Sequence, residues 1–202
     1  MRLYSRMRTA GDPAVRAAWI FLTGLVAGCS VWTTHFIAML AYDSGLETGF
    51  LPLGTLASLL IAVVFMAAAF GAASSGPGRA GKVAGGVLAG VGVASMHYCG
   101  MSAYVTQGAL SWDLPIVTAS LAISLVGSIA AMFVAQDAGT RRLQLLGGVV
   151  LTLAICGLHF TGMGAITVTP DAAVHVPAQL LSSGMMTLSV ALIVSLIILT
   201  AL

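Results

Sequence analysis

The sequence predicts an all-α membrane protein of six transmembrane helices, built as three tandem helix-hairpin repeats with a pseudo-threefold arrangement. Three observations predict this fold class. Of the 202 residues, 59% are hydrophobic and only 7% are charged, whereas a soluble domain needs roughly a quarter charged residues to cover its surface. The few charges fall between long apolar segments, and three histidines recur at one constant interval. We therefore expect the lipid bilayer to be the solvent of this chain.

Six segments are long enough to cross the hydrocarbon core of a bilayer, which takes about 20 apolar residues. None of them contains Asp, Glu, Lys or Arg. The predicted spans are 17–41, 52–73, 83–106, 115–135, 143–167 and 178–202. Pro52, Pro115 and Pro177 are each predicted to open a return helix, because a proline at the first helical position loses no hydrogen bond.

The basic residues predict the orientation of the spans. If the chain crosses alternately, all eight lie on one side: Arg2, Arg6, Arg8, Arg16, Arg79, Lys82, Arg141 and Arg142. The opposite loops contain Asp43, Glu47, Asp113 and Asp171 but no Lys or Arg. Because Lys and Arg concentrate in cytoplasmic loops, we expect the N-terminus and the basic loops to be cytoplasmic.

An internal repeat of constant length organises the chain. The signature histidines are His35, His97 and His159, and the two intervals between them are equal (97 − 35 = 62 and 159 − 97 = 62). Each histidine is followed by an aromatic residue, any residue, a small residue and Met. A glycine stands eleven positions before each histidine, and a serine recurs in the return helix as Ser58, Ser120 and Ser182.

We expect the glycines, which are Gly24, Gly86 and Gly148, to mark close helix contacts. The repeat also divides the chain. The predicted units are a basic segment 1–16 and a membrane domain 17–202, with repeats of about 17–78, 79–140 and 141–202.

Each signature places a histidine and a methionine four positions apart, on one face of a helix. If the three faces converge, three imidazoles lie below three thioethers near the outer side of the membrane. Imidazole binds copper, zinc, iron and nickel, whereas thioether selects soft ions, above all Cu(I). We therefore predict a copper site with the ligands His35, Met39, His97, Met101, His159 and Met163.

The simplest interpretation of a single His–Met pair is that both side chains only pack against neighbouring helices. One intramembrane histidine often only hydrogen-bonds a neighbouring helix, and a methionine commonly fills a core. Packing does not require a polar group at the same place three times, however, and ionisable residues within a bilayer are functional by default. The repetition therefore favours metal binding.

Further residues near the signatures are candidates of lower rank. Cys156 precedes His159 by three positions and shares its face, so it is a candidate thiolate ligand, and Met96 directly precedes His97. Phe36, Tyr98 and Phe160 point about 100° away from each histidine, so we expect them to pack at the interface. Tyr98 alone has a hydroxyl group that could orient a ligand by hydrogen bonding.

The three signatures resemble those of the MHYT domain, a family of bacterial integral membrane sensors named for a Met-His-Tyr-Thr motif. The resemblance covers nearly the whole chain. It implies a sensor module of the bacterial inner membrane, without catalysis of its own, that coordinates one or two copper ions and detects O2, CO or NO. It also implies a cytoplasmic output domain in cis, often one that makes or degrades cyclic di-GMP, or a histidine kinase. We expect a homodimer and no nucleic-acid partner.

No copy reads Met-His-Tyr-Thr in full. The second copy reads Met96-His97-Tyr98-Cys99, and the third reads Leu158-His159-Phe160-Thr161. The histidine and the methionine four positions later are thus the constant elements. Family members tend to have one further helix ahead of the first signature, so we expect the chain to be truncated at both ends.

Three other functions stay open from the residues alone: a haem protein with two axial histidines, a transporter of a metal or small solute, and a membrane oxidase with a bound copper. Three equivalent histidines suit haem poorly, because haem needs pairs. A retinal photoreceptor is excluded, since the only lysine, Lys82, lies in a loop and cannot form a Schiff base within the bundle.

Overall fold

The computed structural model describes residues 11–75, 78–136, 141–177 and 179–201. These residues form six helices and four short strands. The helices are α1 (Pro13–Leu40), α2 (Pro52–Ser74), α3 (Arg79–Ser102), α4 (Leu114–Gln136), α5 (Arg141–Gly164) and α6 (Ser183–Ala201). The strands are β1 (Thr48–Phe50), β2 (Tyr104–Thr106), β3 (Gly108–Trp112) and β4 (Ile166–Pro170). Most of the predicted basic segment 1–16 lies outside the described residues.

Helices α1 to α5 match the predicted spans and are long and apolar enough to cross a membrane. Helix α1 begins earlier than predicted, because Pro13 occupies its first turn and the Asp12 carboxylate accepts the backbone N–H of Ala14 at 2.7 Å. A cap of this kind satisfies an otherwise unpaired donor at a helix start. These five helices are those of a multi-pass membrane protein.

The predicted start of the last helix at Pro177 is wrong. Helix α6 begins at Ser183 and extends to Ala201. The backbone of Leu181 instead exchanges two hydrogen bonds with Phe50, at 2.9 and 3.0 Å, and the Ser182 hydroxyl accepts the N–H of Met185. Because these contacts hold Leu181 extended, the helix cannot begin before them. Six membrane crossings and a pseudo-threefold arrangement remain predictions.

The prediction of a purely helical chain is wrong at the C-terminal ends of α3 and α5. The predicted spans 83–106 and 143–167 run too far, since the helices end at Ser102 and Gly164 and strands β2 and β4 follow. Both strands are rich in Tyr, Val, Ile and Thr, which favour extended backbone. The apolar composition of these segments concealed the change from helix to strand.

The strands join the three loops opposite the basic side into a cap. Strand β1 pairs with β2, and β3 pairs with β4, both antiparallel. The Phe50–Leu181 bridge connects the last loop back to the first. The same hydrogen bond recurs beside each strand pair. The backbone N–H of Leu51 donates to the carbonyl of Ala103, and the N–H of Asp113, one repeat later, donates to the carbonyl of Ala165, both at 2.8 Å.

Helices α1 to α5 pack in chain order, and α6 packs on α1. Glycines make this packing close: a Cβ atom on Gly24 would lie 2.4 Å from the Cβ of Ala67, and one on Gly86 would lie 2.5 Å from the Cα of Ile129. The prediction that these glycines mark close helix contacts is confirmed in the first two repeats. The contacts lie on the basic side of the histidines, which face the cap.

Candidate metal centre

The three signature histidines meet at one point between α1, α3 and α5. His35, His97 and His159 are 2%, 0% and 4% exposed. One ring nitrogen from each lies within 4.8 Å of the others. The Nδ1 atom of His35 is 3.0 Å from that of His159 and 3.2 Å from that of His97. Residues that are one and two repeats apart in sequence therefore form a single cluster of inward-facing nitrogens.

The imidazole rings pack edge to face around this point. Their centroids are 4.9, 5.1 and 5.3 Å apart, and their planes meet at 76–89°. Each ring thus presents an edge, with its nitrogen, to the centre. Such packing fixes the direction of the Nδ1 lone pairs before any ligand arrives.

The small residue of the signature has a role that the sequence analysis missed. A Cβ atom on Gly100 would lie 2.7 Å from Nε2 of His35, and one on Gly162 would lie 2.7 Å from Nε2 of His97. The glycines of the second and third signatures therefore each make room for the imidazole of the preceding repeat. The recurrence of a small residue in all three copies, with Ala38 in the first, was the available signal.

The Nδ1 contacts of the cluster can be satisfied with or without a cation. A neutral imidazole carries one N–H and one lone pair, so an Nδ1–H of one histidine can donate to the Nδ1 lone pair of its neighbour. A cation bound to all three Nδ1 lone pairs would place the protons on the Nε2 atoms, which have no partner at His35 and His97.

The spacing of the nitrogens suits one ion. Three nitrogens that bind the same ion at about 2.0–2.1 Å lie roughly 3.3–3.6 Å apart. The observed separations of 3.0 and 3.2 Å need only a small outward movement of the rings. Trans-axial nitrogens on a haem iron would lie about 4 Å apart with the macrocycle between them. The cluster therefore fits a single ion and not a haem.

The signature methionines lie in the apolar cluster that surrounds the histidines. Met39 and Met101 are buried, and Met163 is half-buried and packs against the same cluster. Met96, beside His97, is also buried. The positions of these side chains agree with either packing or coordination, so the thioether ligands remain a prediction.

Cys156 is not brought into the cluster. Among the described residues, no thiol or carboxylate belongs to the cluster of the three ring nitrogens. Cys156 is a half-buried free thiol on α5. Its role as a ligand also stays a prediction.

The aromatic residues of the three signatures differ in burial and in contacts more than predicted. Phe36 is fully buried and packs edge-on against His35 at 4.7 Å, so its expected place at the interface is wrong. Phe160 is 66% exposed. The Tyr98 hydroxyl lies 2.6 Å from Oγ of Ser120, and its ring packs against His97 at 4.8 Å. Tyr98 therefore contacts a ligand candidate but hydrogen-bonds a serine.

The repeated serine anchors an aromatic side chain in two copies. In the first repeat, Trp32 donates its indole N–H to Oγ of Ser58 at 3.1 Å. In the second, Tyr98 bonds Ser120, which occupies the equivalent position. In the third, Ser182 caps α6 instead. The sequence analysis detected the serine but not its aromatic partner, because Trp32 precedes its histidine by three positions and Tyr98 follows its own by one.

Comparison with known proteins agrees with this architecture. The family model described as MHYT, bacterial signalling protein N-terminal repeat, matches residues 28–86 and 90–148, two segments offset by the same interval as the histidines. An uncharacterized signaling protein of Caulobacter vibrioides is 57% identical over 198 residues, which are 98% of this chain and 24% of that protein.

Two relatives from Pseudomonas aeruginosa have more specific names. The bifunctional diguanylate cyclase/cyclic di-GMP phosphodiesterase MucR is 30% identical over 155 residues, covering 73% of this chain and 22% of the relative. The cyclic di-GMP phosphodiesterase NbdA is 25% identical over 168 residues, covering 80% of this chain and 22% of the relative. The chain thus spans about a quarter of the length of these relatives. No solved structure matches it. The matched repeats cover more than half of the chain, which therefore belongs to the MHYT family of bacterial signalling proteins.

Proposed function

We propose that this chain is the sensor module of an inner-membrane signalling protein and that it binds copper between its three signature histidines. The observation that carries the proposal is the convergence of three buried Nδ1 atoms, two of them 3.0 and 3.2 Å from the third. His35, His97 and His159 would hold the ion, and Met39, Met101 and Met163 would supply thioethers on the side of the cap. Thioethers favour Cu(I) over zinc.

Copper held by these histidines would supply the chemistry that binds a diatomic gas such as O2, CO or NO. The chain's own residues then have defined tasks. The histidines present neutral nitrogens, the glycines of the signature admit the rings, and the cap separates the centre from the water outside. The chain contributes binding and not catalysis, since the cluster that the described residues form contains no carboxylate to act as an acid or base.

The output lies in the cytoplasm under this proposal. The names of two relatives state enzymes of cyclic di-GMP metabolism, and this chain corresponds to only 22% of each. Movement of α1, α3 and α5 about their glycine contacts would carry the signal to an output domain on the basic side. A pseudo-threefold bundle of six spans, with the basic loops in the cytoplasm and a homodimeric assembly, completes the proposal.

The experiment that tests this function is metal analysis of the purified chain after loading with Cu(I). Mass spectrometry should find copper at a constant ratio to protein in the wild type and its loss in His35→Ala, His97→Ala and His159→Ala. His175→Ala is the matched control, because His175 is an exposed histidine in the outer loop. Copper that survives each signature substitution, or no copper in the wild type, would contradict the proposal.

Gas binding has its own readout. Carbon monoxide added to the Cu(I)-loaded chain should give an infrared C–O stretching band that is absent from the His97→Ala variant. A chain that holds copper but shows no band would retain the metal site and lose the role in gas detection.

A further inference from the structure

An open groove of about 410 Å³ lies between α3 and α4. Helix α3 contributes Gly90, Ala94 and Tyr98 to its walls, and α4 contributes Leu121 and Leu125. Within the described part of the chain, no charged side chain lines it. The ring of Tyr98 also packs against that of His97, with centroids 4.8 Å apart. Tyr98 therefore contacts both the groove and the histidine cluster.

Within the described residues, paired strands and packed side chains cover the cap side of the cluster. The three outer loops are joined by the paired strands and by the Phe50–Leu181 bridge. Beneath this cap, Phe50, Tyr104 and Met101 are at most 5% exposed. The ring of Phe50 packs on those of Phe36 and Tyr104, with both centroid distances at 5.6 Å. Water-soluble molecules thus meet hydrogen-bonded backbone and a layer of packed aromatic rings.

The groove exists because one position differs between repeats. Ala94 occupies the place in the second repeat that Trp32 has in the first. Trp32 is 2% exposed and fills the space between α1 and α2, with its indole N–H on Ser58. The methyl group of Ala94 leaves the corresponding space between α3 and α4 empty. Ser120, the counterpart of Ser58, binds Tyr98 instead.

We propose that small uncharged molecules reach the histidine cluster from the bilayer through this groove, which Ala94 keeps open and Tyr98 gates. This path rests on the proposed function, because it would deliver the gas ligand to the same site. The groove itself belongs to the metal-free fold. Molecules that partition into lipid can use it. Ions are excluded, because a charge is costly in the hydrocarbon core.

Two contacts hold the gate closed. The Tyr98 hydroxyl is 2.6 Å from Oγ of Ser120, and the tyrosine ring packs against Trp112 with centroids 5.6 Å apart. Rotation of the phenol away from Ser120 breaks one hydrogen bond, which contributes about 1 kcal/mol net. The barrier to opening is therefore low compared with that of unfolding the cap.

Acylation of the metal-free chain in liposomes tests the path without reliance on copper. Diethyl pyrocarbonate is small, uncharged and soluble in lipid, and it acylates a free imidazole nitrogen. Peptide mass spectrometry gives the rate at His97 relative to that at His175, which is exposed in the outer loop and serves as the internal standard. The variants are Ala94→Trp, which imitates the first repeat, and Leu192→Trp, which adds the same side chain at an exposed position of α6.

We expect Ala94→Trp to slow acylation of His97 about tenfold, the effect of about 1.4 kcal/mol on a barrier, and Leu192→Trp to leave the rate unchanged. Tyr98→Phe should raise the rate about fivefold through loss of the hydrogen bond to Ser120. If Ala94→Trp fails to fold, Ala94→Leu gives a smaller decrease by the same mechanism.

Three results would overturn the proposal: an unreactive His97 in the wild type, equal rates in the wild type and the folded Ala94 variants, or an equal decrease caused by Leu192→Trp. Because no metal is present, none of these outcomes depends on whether the chain binds copper.

Discussion

Replacing Gly162 with alanine should weaken metal binding by displacing one imidazole. The added Cβ atom would lie 2.7 Å from Nε2 of His97 and 3.3 Å from the hydroxyl oxygen of Tyr98. An ordinary contact begins at 3.4 Å, so the His97 ring must retreat by several tenths of an ångström. The ring is fully buried, so its displacement also disturbs the side chains packed around it. Its Nδ1 atom therefore moves out of line with that of His35.

The magnitude follows from two effects. Overpacking a buried site costs about 1–3 kcal/mol, while Gly→Ala within a helix returns up to about 1 kcal/mol. The net loss of folding stability is thus about 0–2 kcal/mol. Misorientation of a metal ligand by its surroundings typically lowers metal affinity about 10–100-fold. We expect the affinity to change much more than the stability.

Competition with a Cu(I) chelator measures this affinity, and thermal unfolding of the metal-free chain measures the stability. Gly164→Ala is the matched control, because it makes the same change two positions later on α5, where a Cβ atom would meet nothing within 4 Å. Wild-type copper affinity in a folded Gly162→Ala variant would refute the role of the signature glycine.

Three further substitutions test the fold around the centre. Asp12→Ala removes the N-terminal cap of α1 and should cost about 1 kcal/mol, detected as faster amide hydrogen exchange in the first turn; unchanged exchange would show that the cap is dispensable. Trp32→Phe removes the hydrogen bond to Ser58 and should lower the unfolding free energy by about 1–3 kcal/mol, a loss that a wild-type unfolding curve would disprove. Phe50→Ala empties a site that is 2% exposed under the cap and should cost about 3–5 kcal/mol in the same assay, and a loss below about 1 kcal/mol would mean that the cap is loosely packed.

The sequence was sufficient to predict the first five helices and the repeat. Long uncharged apolar segments have few structural outcomes, and the histidines gave the period directly. The convergence of those histidines also followed from the repeat, since equivalent helices present equivalent faces. The first five helices could therefore be identified from the sequence before their contacts were known.

The outer loops could not be predicted in the same way. Their strands are three to five residues long and pair with partners far away in sequence, so no local pattern reveals the partner. The late start of α6 depends on the bridge from Leu181 to Phe50, a long-range contact. Tertiary pairing overrode the local helix signal at Pro177.

The surroundings of the site were partly hidden by the repeat itself. Ser58 and Ser120 are constant and stand out in the repeat, whereas Trp32 and Ala94 differ at one equivalent position. Ala94 lines the groove between α3 and α4. Positions that break a repeat are therefore as informative as those that keep it, because a binding path needs only one opening.

X-ray absorption at the copper edge is the most direct test of the central claim, that one ion is held by three imidazoles between α1, α3 and α5. The Cu(I)-loaded chain should show nitrogen scatterers at about 2.0 Å with the multiple scattering of imidazole rings, and Met39→Leu, Met101→Leu and Met163→Leu should remove any sulfur contribution. A spectrum without imidazole scattering, or one that His97→Ala leaves unchanged, would show that copper binds elsewhere and that the buried histidines serve only to pack the helices.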